Sequence, residues 1–468
     1  MSVVRDVFQG FGVALIAYFI ALSLIYLAFT LLSWRSLTRY LRSRAYAEGD
    51  DAMSSPLTPP ISVLLPAYNE AAGIVDSVRS LLALRYPHYE VVVINDGSTD
   101  RTLELLREAF DLRPARLALR QTLAHAPTRG TYLSAQDPKL IVVDKDNGGK
   151  ADALNCGIVT ATFPYFCAVD GDSLIEEEAL LQVAQPVFDD PKLVVATGGI
   201  VRIANGCRVD HGRVVEVGLP RARLAALQVV EYFRAFLVGR VAWSDLRAML
   251  IISGAFGLFK RSVVESAGGY WTQTVGEDAE LVMRVHRHMR EQGRDYRVDF
   301  VADPVCWTEA PEDVRTLQGQ RRRWQRGLVE TLWRHRRVVG NPRYGALGLM
   351  AAPYFVLFEL VGPVVAVFGY VLLPIAALLG LISIDILIAF VIVAFLFGIL
   401  LSVAALALEE FSFRRHARHG EAGRLLLYAM VDNLGYRQMT EAFQLRGLID
   451  VVRRRTGWGE MKRLGVGR

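Results

Sequence analysis

Cysteine is scarce in this sequence, and its scarcity excludes several classes of protein. The 468 residues include only four cysteines, at positions Cys156, Cys167, Cys207 and Cys306. No two of them form a Cys-x-x-Cys pair, and none has a histidine at metal-ligand spacing, so neither a zinc site nor a disulfide framework is expected. We therefore predict four small, reduced thiols in a cytosolic compartment.

A large excess of either charge sign is also missing. The formal net charge is +5, and the arginines are clustered rather than spread, so the composition does not indicate a nucleic-acid partner. Hydrophobic residues make up 52% of the chain, and the mean hydropathy is +0.27. This is too apolar for an ordinary soluble enzyme and too charged for a membrane bundle alone. A water-soluble domain joined to transmembrane helices satisfies both conditions.

Charge is absent altogether from residues 7–34, which predicts a first transmembrane helix. A run of this length can cross a hydrocarbon core of roughly 30 Å. The arginines that follow it are Arg35, Arg39, Arg42 and Arg44. Because positive residues concentrate on the cytoplasmic side of a membrane, the C-terminal end of this helix is predicted to be cytoplasmic.

Two more apolar spans, 345–380 and 384–408, are separated near "GLISID". The arginines that flank this pair are Arg334, Arg336, Arg337 and Arg343 before it, and Arg414, Arg415 and Arg418 after it. Both flanks are thus predicted to be cytoplasmic, with a short turn outside. The N-terminus is then outside, residues 45–340 form a cytoplasmic domain that includes interface helices, and residues 409–468 form a cytoplasmic or interfacial C-terminal region.

Between the first and second spans, short β-branched runs alternate with helical periodicity. The runs are "ISVLLP" (61–66), "EVVVIND" (90–96), "LIVVDK" (140–145), "YFCAVDGD" (165–172) and "LVVATGG" (193–199). "IVDSVRSLLAL" places Ile74, Val78, Leu81 and Leu82 on one helical face, and "GGKADALNCGIVTAT" is a second helix. This alternation predicts an α/β domain with a mostly parallel, doubly wound sheet. Ligands of such sheets bind beyond the carboxyl ends of the strands.

Polar residues follow two of the predicted strands. The first strand ends in "PAYNE", where Asn69 or Glu70 is suited to cap the next helix. The second ends in "NDGSTD", where Ser98 or Thr99 is suited to the same role. Capping does not require Asp96, which sits at the strand terminus.

Asp170 and Asp172 follow the fourth predicted strand in "VDGDS". Alternate side chains of an extended segment point the same way, so both carboxylates can face one ligand. Such a pair favours a hard cation, Mg²⁺ or Mn²⁺, shared with a diphosphate. An Asp-Gly-Asp surface turn is the alternative.

Two helix starts carry further charged candidates. Lys150 begins a helix after two glycines, where it is suited to hold a phosphate, although an exposed lysine is the simpler explanation. Glu277 and Asp278 open the helix "EDAELVMRVHR" and complement its dipole. A carboxylate there is equally suited to act as general base, and nothing local decides between the two roles.

The stretch "QRRRW" (320–324) lies in the densest group of arginines. In a helix, Gln320, Arg323 and Trp324 share one face at i, i+3 and i+4, while Arg321 and Arg322 point elsewhere. We expect the first face to meet a ligand, and Arg321 and Arg322 to face lipid headgroups or acidic partners.

The ordered set "PAYNE", "NDGSTD", "DGD", "GED" and "QRRRW" closely resembles the membrane-embedded family-2 inverting glycosyltransferases, which include cellulose, hyaluronan and poly-N-acetylglucosamine synthases. "DNLGYRQ" (432–438) is similar to the last of these. The resemblance implies a GT-A fold that binds a UDP-sugar. It also implies a multi-pass protein of a bacterial-type inner or plasma membrane with its catalytic domain in the cytoplasm.

The family's motifs imply a role for each candidate residue. Asp278 matches the catalytic base, Asp96 the uridine contact, and Asp170 and Asp172 the ligands of a Mg²⁺- or Mn²⁺-bound diphosphate. The other substrate-binding residues expected on this basis are Lys150, Gly254 of "ISGAF", Glu277, Gln320, Arg323 and Trp324. The implied activity is inverting, processive elongation of a β-linked polysaccharide.

Other functions and partners remain open from the sequence. A non-processive transferase that adds sugars to a lipid, or an inactive nucleotide-sugar-binding scaffold, would share the fold. The expected partners are a UDP-sugar, a growing glycan or lipid acceptor, the bilayer and an accessory export subunit. Glu359 lies inside an apolar span, where we predict that it lines a sugar-conducting path. Alternatively, that span starts later and Glu359 is at the surface.

Overall fold

The computed structural model of the chain describes residues 2–46, 55, 58–118, 120–210, 212–413 and 420–453. It contains an α/β domain and three helices that are long and apolar enough to cross a membrane. The predicted α/β class and the GT-A arrangement between apolar helices are confirmed. Arg414, Arg415 and Arg418 lie outside the described residues.

A ten-stranded sheet forms the centre of the domain, in the order β3-β4-β5-β2-β1-β6-β11-β8-β12-β7. Its strands are β1 (Ile61–Ala67), β2 (Tyr89–Asp96), β3 (Leu112–Pro114), β4 (Thr128–Ser134), β5 (Leu140–Lys145), β6 (Tyr165–Val169), β7 (Leu174–Ile175), β8 (Val194–Ile203), β11 (Phe256–Lys260) and β12 (Arg297–Thr308). A separate hairpin pairs β9 (Arg208–Asp210) with β10 (Arg213–Glu216). All five predicted strands are present.

The order of the sheet brings the candidate residues to one edge. β5, β2, β1 and β6 run parallel, so their carboxyl ends meet where ligands bind in such sheets. β4 pairs antiparallel with β5, and β11 enters antiparallel between β6 and β8, so the whole sheet is mixed. Because β11 runs the opposite way, its start lies beside the end of β6 and delivers the preceding segment to the same edge.

The helices of the domain lie around the sheet, and most of them pack against it. They are α2 (Ile74–Leu82), α3 (Thr102–Phe110), α4 (Lys150–Thr160), α5 (Ala179–Asp189), α6 (Arg223–Phe233), α7 (Val241–Asp245), α8 (Arg261–Ser266), α9 (Glu277–Glu291) and α10 (Val314–Arg334). On α2, Ile74, Val78 and Leu81 are buried as their spacing predicts, and Leu82 is partly buried. A π-helical stretch, Arg234–Arg240, joins α6 to α7.

The three apolar helices are α1 (Ser2–Tyr46), α11 (Leu347–Leu378) and α12 (Ile384–Ser412). They coincide with the three spans expected from the sequence, although the orientation and the limits 45–340 of the cytoplasmic domain stay predictions. Helices α13 (Glu421–Val431) and α14 (Arg437–Val452) follow them. "DNLGYRQ" forms the break between these two, where Gly435 has a φ of 104°.

Candidate active site

Lys150 is the centre of a charged cluster at the carboxyl edge of the parallel strands. Its Nζ lies 2.6 Å from Oδ1 of Asp170, which follows β6, and 3.2 Å from Oε1 of Glu277, which opens α9. The lysine begins α4 after Gly149, whose φ of 85° turns the chain sharply into the helix. Three separate segments thus converge on one ammonium group.

Asp278 joins this cluster through the segment before β11. Its Oδ2 accepts a hydrogen bond of 3.1 Å from the amide of Gly254, and its Oδ1 lies 2.8 Å from the amide of Ala279. A Cβ on Gly254 would lie 3.0 Å from Nζ of Lys150 and 3.5 Å from Oδ2 of Asp278. Glycine therefore leaves the space between the lysine and the proposed base open.

Burial and neighbouring charges together shift the pKa values of Lys150 and Glu277. Burial disfavours the charged form of Lys150, but Asp170 and Glu277 outweigh it, so the pKa of Lys150 is raised. Burial also raises the pKa of Glu277, and the attraction of Lys150 offsets this only in part. The lysine therefore keeps its positive charge at neutral pH.

Asp96 lies at the end of β2 in a separate, sealed cluster. Its carboxylate accepts hydrogen bonds from the amides of Gly148, at 3.0 Å, and Gly149, at 2.8 Å, and from Nζ of Lys145. Lys145 also lies 2.6 Å from Asp152. Asp96 is thereby tied to the turn that leads into Lys150, and its contact with uridine stays a prediction.

The first two motif loops bind each other rather than cap helices. Asn69 has a positive φ of 56°, and its Oδ1 accepts from the amide of Thr99 at 2.8 Å. Oγ of Ser98 accepts from the amide of Asn69 at 3.0 Å. Both α2 and α3 begin without a side-chain cap from these residues, so the capping alternatives for the two motifs are wrong.

The Asp-Gly-Asp loop suits a divalent cation. Asp170 already pairs with a positive group, and Asp172 is half-buried two residues later in the same loop. Two carboxylates are few ligands, but Mg²⁺ and Mn²⁺ commonly use one or two carboxylates together with phosphate oxygens and water. Among the described residues, no group of three acidic, histidine or cysteine side chains forms a closed metal cage. The residues therefore fit a cation shared with a diphosphate.

The "QRRRW" segment is helical, as predicted, and forms part of α10. Gln320 is buried, and its Oε1 has no hydrogen-bond partner within the described part of the chain. Arg323 is half-buried, and Trp324 is 44% exposed.

Arg321 does not face lipid headgroups. It is only 2% exposed, lies 2.7 Å from Glu231 and stacks 4.4 Å above the ring of Trp324. Arg322 pairs with Asp450 of α14 at 2.6 Å. Both arginines have acidic partners within the protein, so the headgroup expectation is wrong for Arg321: tertiary packing covers the helix face that it occupies.

A cavity of about 300 Å³ lies between the α/β domain and the apolar helices. Its wall includes Tyr18 of α1, Glu359 of α11 and Glu441 of α14. Glu359 accepts a hydrogen bond from Tyr354 at 3.2 Å, and its carbonyl accepts one from Gln325 at 3.1 Å. Glu359 thus faces a cavity, and the alternative that it lies at the outer surface is wrong.

Several residues in the site or beside it were not identified from the sequence. Lys145 is one of them. Its position next to an aspartate at the end of a buried strand indicates a buried ion pair and could have identified it. Arg240 lines the cavity, and burial lowers its pKa to about 10 against the attraction of Asp278. Gly327 and Glu330 of α10 contact the turn before α9, and no sequence pattern pointed to them.

Two models of known protein families match this chain. Residues 62–265 match the model of "Glycosyl transferase family 2". Residues 165–405, more than half of the chain, match the model of "Glycosyl transferase family group 2".

Two curated relatives align with part of the chain at about one-third identity. The chain is 32% identical over 277 residues to a poly-beta-1,6-N-acetyl-D-glucosamine synthase of Staphylococcus aureus, which covers 58% of this chain and 56% of that protein. The corresponding synthase of Staphylococcus epidermidis is 31% identical over 276 residues, with the same coverage. The alignment thus spans about half the length of these curated relatives.

A solved structure shares the fold. It is a mannosyltransferase from Pyrobaculum calidifontis in complex with GDP-Man and Mn²⁺. It has a TM-score of 0.54 and 22% identity, and covers 94% of this chain and all of its own.

Proposed function

The chain belongs to glycosyl transferase family group 2, and we propose that it is an inverting, processive glycosyltransferase that elongates a β-linked polysaccharide from a UDP-sugar. We further propose that the product passes across the membrane through the protein's own apolar helices. The similarity to the staphylococcal poly-beta-1,6-N-acetyl-D-glucosamine synthases supports a polysaccharide product, with an N-acetylhexosamine as the first donor to test.

One observation carries this proposal: the charged cluster and the membrane-side cavity adjoin along a single segment. Met249, Leu250 and Ile251 line the cavity. Three residues after Ile251, the amide of Gly254 contacts the carboxylate of Asp278. An acceptor chain that occupies the cavity would therefore end close to the proposed base.

The chemistry follows from the placement of the charges. The Gly254 amide orients Oδ2 of Asp278, so this oxygen is suited to take the proton of an acceptor hydroxyl as that hydroxyl attacks the anomeric carbon. Attack from the face opposite the diphosphate inverts that carbon. The leaving diphosphate gains negative charge, which Lys150 and Arg323 are suited to stabilise. A Mg²⁺ or Mn²⁺ ion held by Asp170 and Asp172 would add to this stabilisation when bound.

The cavity also bears on the kind of acceptor. Its described lining also contains aromatic rings, and its charged members include Arg234, Arg240, Arg437, Glu231, Glu359 and Glu441. This mixture of hydrogen-bonding groups and rings suits a hydroxyl-rich glycan better than an alkyl chain. The large domain is proposed to face the cytoplasm, where sugar nucleotides are made.

The test is to incubate the purified, membrane-reconstituted protein with a panel of labelled UDP-sugars and measure UDP release and product size. Release of UDP together with a long, water-soluble polymer is the expected result. A short product that extracts into organic solvent would instead establish a lipid acceptor and contradict processive synthesis. Wild-type protein that releases no UDP from any sugar nucleotide would favour an inactive scaffold.

A further inference from the structure

The turn that precedes the base-bearing helix is held by α10. Residues 274–276 lead into α9, whose second residue is Asp278. Thr274 is buried, and its Oγ accepts a hydrogen bond of 3.1 Å from the amide of Gly276. The direction in which α9 starts, and with it the position of Asp278, depends on this turn.

Glu330 of α10 contacts the turn at two points. Its Oε2 accepts a hydrogen bond of 2.7 Å from Oγ of Thr274 and one of 3.1 Å from the amide of Val275. Hydrogen bonds to an ionised carboxylate are stronger than those between neutral groups. One carboxylate therefore holds both a side chain and the backbone of the turn.

A glycine pair brings the two segments into backbone contact. A Cβ on Gly276 would lie 2.8 Å from Cα of Gly327, and a Cβ on Gly327 would lie 2.8 Å from Cα of Gly276. The φ of Gly276 is −124°, a value that other residues also adopt, so its backbone conformation does not require glycine. Gly327 lies inside a helix, where glycine costs about 1 kcal/mol relative to alanine. Close approach is therefore the physical reason for both glycines.

The same face of α10 carries Arg323, which is proposed to bind the diphosphate of the sugar nucleotide. Arg323, Gly327 and Glu330 are spaced i, i+4 and i+7, which places them along one side of the helix. The helix that presents Arg323 thus also fixes the start of α9.

We propose that Gly327 and Glu330 are positioning residues for Asp278. Through them α10 holds the turn 274–276 in place and sets the position of Asp278 relative to Arg323. The inference rests on the proposed role of Asp278 as general base. Proton abstraction requires heavy atoms about 2.6–3.2 Å apart, and a displacement of about 1 Å can cost about 10²-fold in rate. A methyl group inserted between the two glycines must displace one backbone from the other.

The experiment compares two glycine-to-alanine variants in the same helix. Gly327→Ala is expected to lower kcat by about 10²-fold, with a much smaller change in the KM for the sugar nucleotide. Gly319→Ala is the matched control, because a Cβ at Gly319 meets no atom within 4 Å. This control should keep full activity and gain slightly in thermal stability, since alanine is the better helix former.

Two variants of Glu330 separate positioning from general stability. Glu330→Ala removes the hydrogen-bond acceptor and should lower kcat. Glu330→Gln keeps an acceptor oxygen, so its kcat should remain close to that of the wild type. Equal kcat values for Gly327→Ala and Gly319→Ala would overturn the inference. So would a Glu330→Gln variant that is as inactive as Glu330→Ala while remaining folded.

A measurement without turnover keeps this inference distinct from the proposed function. Hydrogen exchange of the amides in residues 274–278 should be faster in Gly327→Ala than in Gly319→Ala. Equal exchange rates in the two variants would contradict the proposal that α10 holds the turn, whatever their activity. Absence of sugar transfer by the wild-type protein would refute the proposed function, while the exchange result would still decide whether α10 holds the turn.

Discussion

Lys145 and Lys150 lie close together in the chain, and each contacts two carboxylates, but they occupy different environments. The side chain of Lys145 is 0% exposed, and it lies between Asp96 and Asp152. The side chain of Lys150 is 22% exposed, and it lies between Asp170 and Glu277. We refer to the first group as the sealed cluster and to the second, together with Asp278, as the open cluster.

The two clusters differ in how their negative charge is balanced. In the sealed cluster, backbone amides complete the pairing: Gly148 and Gly149 donate to Asp96, and Ala126 donates to Asp152. In the open cluster, three carboxyl groups surround one lysine at the edge of the sheet. Such an excess of acidic groups favours additional cationic ligands. Similar residues are therefore paired with one another and with backbone amides in one place, and in the other they are suited to bind a metal-bound diphosphate.

The largest expected effect is in the open cluster, on replacing the proposed base. Asp278→Asn keeps the size of the side chain but cannot accept the proton, so kcat should fall by about 10³-fold. The melting temperature should stay close to that of the wild type. Steady-state UDP release and thermal unfolding measure the two quantities. Normal turnover in the Asp278→Asn variant would show that Asp278 is not the general base.

Replacing the lysine of the sealed cluster should instead affect folding. Lys145→Met leaves Asp96 and Asp152 buried without their cation, which should destabilise the protein by about 3–5 kcal/mol. The expected readout is a lower melting temperature and a reduced yield of folded protein. Lys192→Met, at an exposed lysine, is the matched control and should change neither. A Lys145→Met variant as stable as this control would contradict the division into two clusters.

The corresponding change in the open cluster should act mainly on catalysis. Lys150→Met removes a positive charge from the proposed diphosphate site, so kcat/KM should fall by about 10²-fold. Stability should change less than in Lys145→Met, because Lys150 is partly exposed and its partners are more accessible to water. Initial rates over a range of sugar-nucleotide concentrations provide the measurement. A fall in melting temperature as large as that of Lys145→Met, without a loss of activity per folded molecule, would show that Lys150 is structural.

The smallest effect is expected at a site outside both clusters. Asp313 caps α10 and accepts a hydrogen bond of 2.9 Å from the amide of Thr316. Asp313→Ala should destabilise the protein by about 1 kcal/mol while kcat and KM remain unchanged. Thermal unfolding and steady-state kinetics on the same preparation would check this. A change in KM comparable to that of Lys150→Met would mean that general loosening of α10 is enough to impair the site.

Much of the fold could be predicted because burial and periodicity are local properties. The β-branched runs predicted the five central strands, and the glycines before Lys150 predicted the start of α4. The antiparallel entry of β11 could not be predicted in this way, since strand order depends on contacts between distant segments. The roles of Asn69 and Ser98 were missed for the same reason: each has a partner in the other's loop.

For the site, helical spacing within "QRRRW" predicted two separate faces of α10 but did not identify what covers each side chain: Arg321, assigned to the other face, stacks on Trp324. Arg321 is buried because Glu231 and α14 pack against it, and neither is near it in sequence. The sequence by itself determined the residue types, the three apolar helices and the placement of acidic groups at strand ends. Only the tertiary structure decided which charged groups pair inside the buried cluster and which pair at the partly exposed edge of the sheet, because burial and pairing depend on segments that meet only after folding.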